Sequence, residues 1–200
     1  MIINDHSYKS LIANGDQKKF RQLMELTSNE LLWFAIGFLK NKEIAEEIVS
    51  DVYVNIWNNR TQLEKIINLK SYLFVCVRNG CLSHLRKVKN EKIIYFDSVN
   101  EFSFMPLEGP EDSLVEREMI EQIYAAIETL PYKCKTVFTL AKINGLKYRE
   151  IAEVLGITEK TVNNHLVLAV KKITELLNVT KKAKEKSSPL KRVGIFTFSL

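Results

Sequence analysis

Lys160, Thr161, Asn163 and Asn164 crowd the start of one segment of this 200-residue chain. Their chemistry is recognition, not bond-making. Asparagine can pair bidentately with adenine, and threonine can touch a thymine methyl. A second group, Arg78, Asn79, Ser83, Arg86 and Lys87, mixes cations with small hydrogen-bonding side chains and suits phosphates. A third, Glu47, Asp51, Asn55 and Asn58, is acidic and amide-rich. Bond-making chemistry has far less to work with. The histidines are His6, His84 and His165, and none has a cysteine or carboxylate arrangement suited to a metal or a triad. A Cys134–His165 dyad is conceivable, but nothing orients it. The cysteines Cys76, Cys81 and Cys134 are odd in number and form no CxxC, so neither a zinc site nor a disulfide framework is expected. No glycine-rich phosphate loop is present. No catalytic residue, metal or cofactor is expected.

The elements that must position these residues are helices. In Leu146 to Leu177, Ile151, Ala152 and Leu155 share one helical face. Val162, Leu166, Ala169, Val170, Ile173 and Leu177 share another. Gly156 lies between, where a left-handed backbone costs glycine least, and Thr158 suits the N-cap of the second helix. These are the parts of a helix-turn-helix, whose second helix enters the major groove by its N-terminal residues. Lys171 and Lys172 follow two to three turns later, within reach of phosphates, as are Lys147, Tyr148 and Arg149. An ordinary amphipathic pair within an all-α core is the alternative.

Residues 8–90 read as helices throughout. One runs from Leu11 to Glu25, turned near Asn14-Gly15-Asp16, and an apolar one from Asn29 to Leu39. Another spans Glu43 to Arg60, with a core stripe of Ile44, Ala45, Ile48, Val49, Val52 and Ile56. Opposite lies the acidic stripe of Glu47, Asp51, Val54, Asn55 and Asn58, for which a solvated face is an open alternative. On the helix Lys70 to Lys89, Leu73, Cys76, Val77 and Leu85 point inward. Tyr72 and Phe74 there could stack bases or could belong to the core. Gly80, costly in mid-helix, suggests a close approach by a neighbouring element.

Charge divides the chain. The net charge is +5 and the pI about 9.0, which favours a polyanionic partner. Residues 1–90 sum to +4, 91–120 to −6, 121–180 to +2 and 181–200 to +5. Pro106, Gly109 and Pro110 punctuate the acidic part. We therefore expect an all-α fold of two small helical domains, 8–90 and 119–180. A flexible acidic linker, 91–118, would join them, and a basic, disordered tail would follow, 181–200. The N-terminus lacks a signal pattern, and no apolar run reaches the roughly 18–20 residues that span a bilayer. A reducing cytoplasm is expected.

Three runs carry a specific resemblance: AEEIVSDVYVNIWNNR (Ala45 to Arg60), YLFVCVRNGCLSHLRK (Tyr72 to Lys87) and Ala126 to Ile173. In this order and spacing the chain resembles an extracytoplasmic-function (ECF) sigma factor of the sigma-70 family. That resemblance implies a sigma-2-like domain and a helix-turn-helix, sigma-4-like domain. It implies that Glu47, Asp51, Asn55 and Asn58 grip core RNA polymerase. It implies that Arg78, Asn79, Ser83, Arg86 and Lys87 melt and read the −10 promoter element. It assigns the −35 element to Lys147, Tyr148, Arg149, Lys160, Thr161, Asn163, Asn164, Lys171 and Lys172. Core polymerase, promoter DNA and an anti-sigma factor are the implied partners, and the linker would thread the polymerase cleft. Two positions depart from the family: Ser83, often aspartate, and Lys147, usually serine or threonine. A LuxR-like helix-turn-helix regulator shares features of Glu150 to Leu166, but a regulator would carry a receiver or ligand pocket in the first block. A helical adaptor that binds only protein would not need the basic face around Arg86.

Overall fold

The computed structural model describes residues 2–89 and 123–187. Among them every regular element is helical, as the spacing predicts. The linker expected at 91–118 lies outside the described residues.

Helix α1 (His6–Ala13) is capped by Asp5, whose carboxylate accepts the Ser7 N–H. Gly15, at φ +93°, turns the chain, and Asp16 caps α2 (Gln17–Leu39) by accepting the Lys19 N–H at 3.0 Å. The two helices expected between Leu11 and Leu39 are divided differently: α2 runs unbroken through Thr27-Ser28-Asn29. The reason is local. The Thr27 hydroxyl donates to the Leu23 carbonyl at 2.7 Å, so it fits within a helix, and it then accepts from the Tyr53 hydroxyl at 2.7 Å. A buried pair thereby fastens α2 to α3 (Lys42–Asn58). Burial raises the Tyr53 pKa to about 12, so the phenol stays a donor.

A 3-10 segment (Arg60–Lys65) and the loop 66–68 lead into α4 (Leu69–Lys89). The N-terminus straps this junction. The Asn4 side chain accepts the Leu69 N–H at 2.8 Å, and Lys9 donates to the Ile66 carbonyl. α4 packs across α2 and α3. Phe74 sits at the centre, edge-on to Phe34 at 5.1 Å, and only 1% exposed; it belongs to the core. Tyr72 is exposed. An ion pair joins buried Lys70 to half-buried Glu30 at 2.6 Å. The reading of Gly80 holds: a Cβ there would meet Ile48 Cγ2 of α3 at 2.8 Å. Cys81 is buried, whereas Cys76, expected inside, is only half-buried.

The second unit contains helical residues 123–128 (α5), α6 (Tyr132–Phe138), a π turn (Thr139–Ile143), α7 (Tyr148–Leu155) and α8 (Glu159–Ser187). Its own core gathers Ile127, Leu130, Cys134, Ala169 and Ile173. Val170, expected inward, is 43% exposed. With Val162, Leu166, Ala169 and Ile173 facing in, position 170 lies about 100° round the helix. α8 continues past residue 180 to Ser187; residues 188–200 of the tail lie outside the described residues. No helix among the described residues is long and apolar enough to cross a membrane.

Candidate nucleic-acid and polymerase interface

Two of the three residue groups meet in one place. α3 and α4 wall a groove of about 720 Å³. Glu47, Asp51 and Asn55 line its α3 side; Asn79, Ser83 and Lys87 line its α4 side. Glu47, Asp51, Asn55 and Asn58 are all exposed. The acidic stripe thus stands free for a partner, while α3 keeps Ile48, Val49, Val52 and Ile56 buried behind it.

The basic group is divided. Lys87 faces the groove and Arg86 is exposed, its Nε donating to the Leu82 carbonyl at 3.2 Å. Arg78 points elsewhere. Its guanidinium lies so close to Gly156, at the end of α7, that a Cβ on that glycine would collide with it. Its Nε is buried without a hydrogen-bond partner, and desolvation lowers its pKa from the ordinary value.

In the helix-turn-helix the local chemistry follows the residue types. Gly156 is left-handed at φ +67°. The Thr158 hydroxyl accepts the Thr161 N–H at 3.1 Å, capping α8. Lys160, Asn163 and Asn164 are exposed on the first two turns, as are Lys171 and Lys172 further along. Thr161 is half-buried, and its hydroxyl shares a 2.9 Å bond with that of Thr158. Part of its hydrogen-bonding capacity therefore serves the cap.

Lys147, Tyr148 and Arg149 are exposed at the start of α7. Lys147 occupies the N-cap with extended backbone, but an ammonium cannot accept an N–H. Only the return half of a capping box forms: the Glu150 carboxylate accepts the Lys147 N–H at 2.8 Å. Lys147→Ser should therefore add about 1 kcal/mol of stability, read as a higher denaturation midpoint. If Lys147 also touches a phosphate, the same variant will flatten the salt dependence of −35 DNA binding by about one unit of slope.

Residues that sequence reasoning missed are Asn68 and Ile67. Asn68 caps α4 by accepting the Ser71 N–H at 3.1 Å, and donates to Glu150 at 2.7 Å. An asparagine just before Leu69 was the available signal. Ile67 is 92% exposed; no periodicity marks it.

The Cys134 and His165 side chains do meet: Cys134 Sγ stands 3.7 Å from His165 Nδ1, and burial raises the thiol's pKa. Burial likewise pushes Cys81 up to about 12. No group of three or more His, Cys, Asp or Glu among the described residues could hold a metal.

One helical module presents an acid- and amide-lined groove, and the other a helix-turn-helix. The model for Sigma-70 region 2 matches residues 23–91, and that for Sigma-70, region 4 matches residues 120–173. The chain is 24% identical over 162 residues to the ECF RNA polymerase sigma factor SigW of Bacillus subtilis, covering 78% of this chain and 87% of that protein. It is 26% identical over 137 residues to the RNA polymerase sigma factor SigV of the same organism, covering 68% and 78%. Among solved structures it is similar to the sigma factor RpoE of Bartonella quintana, crystallised with the anti-sigma factor NepR. That likeness has a TM-score of 0.53 and 26% identity, over 81% of this chain and 98% of that one.

The chain belongs to the ECF group of the sigma-70 family. It is an RNA polymerase sigma factor: it directs core polymerase to specific promoters and helps open them. The LuxR-like regulator is not favoured, because the first block matches region 2 rather than a receiver. Sigma factors are generally non-catalytic initiation factors.

Proposed function

We propose that the groove between α3 and α4 divides two tasks between its walls. Glu47, Asp51, Asn55 and Asn58 grip core polymerase, and Asn79, Ser83, Arg86 and Lys87 engage the −10 strand, joined by Arg78 once it is free. Lys160, Thr161, Asn163 and Asn164 select −35 bases. Lys147, Tyr148, Arg149, Lys171 and Lys172 hold the backbone. The observation that carries this reading is the juxtaposition in one groove of an exposed carboxylate–amide wall and a wall of asparagine, serine and lysine. The chain itself catalyses nothing and works in the cytoplasm, where free thiols persist. By likeness to RpoE, solved with NepR, an anti-sigma factor regulates it.

Asp51→Ala combined with Asn55→Ala is the test. Both side chains are exposed, so folding should change by no more than about 0.5 kcal/mol. Binding of core polymerase should weaken by about tenfold or more, as for a pair of interface hot spots. Undiminished capture of core polymerase would remove this face from the contact.

A further inference from the structure

Three branched aliphatic side chains stand in solvent on α8: Val167 at 57%, Leu168 at 50% and Val170 at 43% exposure. Core packing does not account for them, because Val162, Leu166, Ala169 and Ile173 already fill the buried stripe. Helix propensity does not account for the valines either. Valine is a poorer helix former than the polar residues that usually fill exposed helical positions.

Position singles out Val167. It lies seven residues after Lys160, four after Asn163, three after Asn164 and four before Lys171. At about 100° per residue these five side chains form one stripe, with Val167 at its middle. All five are exposed. Leu168 lies about 100° round the helix from Val167. A docking that brings Asn163 and Asn164 to base edges and Lys171 to the backbone therefore carries Val167 into the groove between them.

Valine has nothing to offer the donors and acceptors of a base edge. The one apolar feature that a base pair shows in the major groove is the C5-methyl of thymine. Set against cytosine, Val167 would strip water from the N4 amino group and give no acceptor in return, which costs free energy. Set against thymine, two methyl surfaces leave water together. Four residues of helix advance about 6 Å, close to two base pairs at about 3.4 Å each.

We infer that Val167 is a specificity-determining residue of the −35 reader: it selects a thymine, through its C5-methyl, about two base pairs from the adenine that Asn163 contacts. The inference rests on the −35 assignment proposed above and adds to it a base and the group on that base that is read.

The test uses the full chain with core polymerase. This holoenzyme first selects its −35 sequences from promoter duplexes randomised there. Each thymine of the selected site is then replaced by deoxyuridine, which pairs alike but lacks the methyl. At one position the wild type should bind the uracil duplex about fourfold more weakly, the loss for one buried methyl. Val167→Ala should bind the thymine and uracil duplexes alike, whereas Leu168→Ala should keep the difference. Both positions are exposed and alanine favours a helix, so both variants should fold. Indifference of the wild type to every replacement of thymine by uracil would overturn the inference. So would a Val167→Ala chain that still distinguishes the two duplexes, and one that loses affinity for both by the same factor in this way would place a protein surface, not a methyl, on Val167. Failure of the −35 assignment itself shows elsewhere: Asn163→Ala would then select the same bases as the wild type. Altered adenine preference in Asn163→Ala, beside a wild type blind to uracil, would sink the methyl reading alone.

Discussion

Phe74→Ala is expected to destabilise the first bundle by about 3–5 kcal/mol, as large-to-small changes at fully buried aromatics do. The ring is 1% exposed and stands edge-on to Phe34, so its loss empties the seam where α4 crosses α2. Against a total of about 5–15 kcal/mol for a typical domain, this is enough to bring the bundle near its threshold. Chemical denaturation should show a much lower midpoint with the slope retained. Tyr72→Ala, at a position 42% exposed, should cost under about 1 kcal/mol. The pair separates the two readings open to these aromatics. A Phe74→Ala protein of undiminished stability that failed only in promoter opening would move the ring from the core to the bases.

Arg86→Gln with Lys87→Gln should weaken open complexes on every promoter alike. Each cation that neutralises a phosphate contributes about 0.7 to the salt slope on single strands and about 0.9 on duplex. Removing both should flatten a plot of log affinity against log salt by roughly 1.4 to 1.8. Both side chains are exposed, so the fold should hold. Asn79→Ala, on the same groove but uncharged, should leave that slope alone and change the preference among −10 variants. An unchanged slope in the double variant would take Arg86 and Lys87 out of the DNA contact.

The legible parts of this chain are those written in periodicity and capping chemistry. The stripe of Ile48, Val49, Val52 and Ile56 predicts α3 and its exposed opposite face. Gly156 and Thr158 predict the turn and the start of α8. Reading failed where a side chain has two possible uses. Separate helices are expected at Leu11 to Glu25 and Asn29 to Leu39, yet the Thr27 hydroxyl between them satisfies itself within α2 and meets Tyr53. Val170 looked apolar and therefore inward, but the stripe has room for only one of Ala169 and Val170. Arg78 is grouped with Arg86 and Lys87 by its helix face and by the family resemblance. Its diversion to Gly156 depends on a contact between modules that no local pattern encodes. The Asn68 cap is locally legible, but its bond to Glu150 is not, since that partner lies 82 residues away.

The strap formed by Asn4 and Lys9 has a practical consequence for anyone dissecting this molecule. Region 2, as the family model delimits it, starts at residue 23. A fragment cut there would lose α1, the acceptor for the Leu69 N–H and the cation on the Ile66 carbonyl. The loop 66–68, with Ile67 exposed at its tip, would then lose both of these anchors. Such a fragment could bind polymerase through α3 and still misread promoters. The first bundle thus reaches upstream of the matched region through two side chains, Asn4 and Lys9, that hold the start of α4.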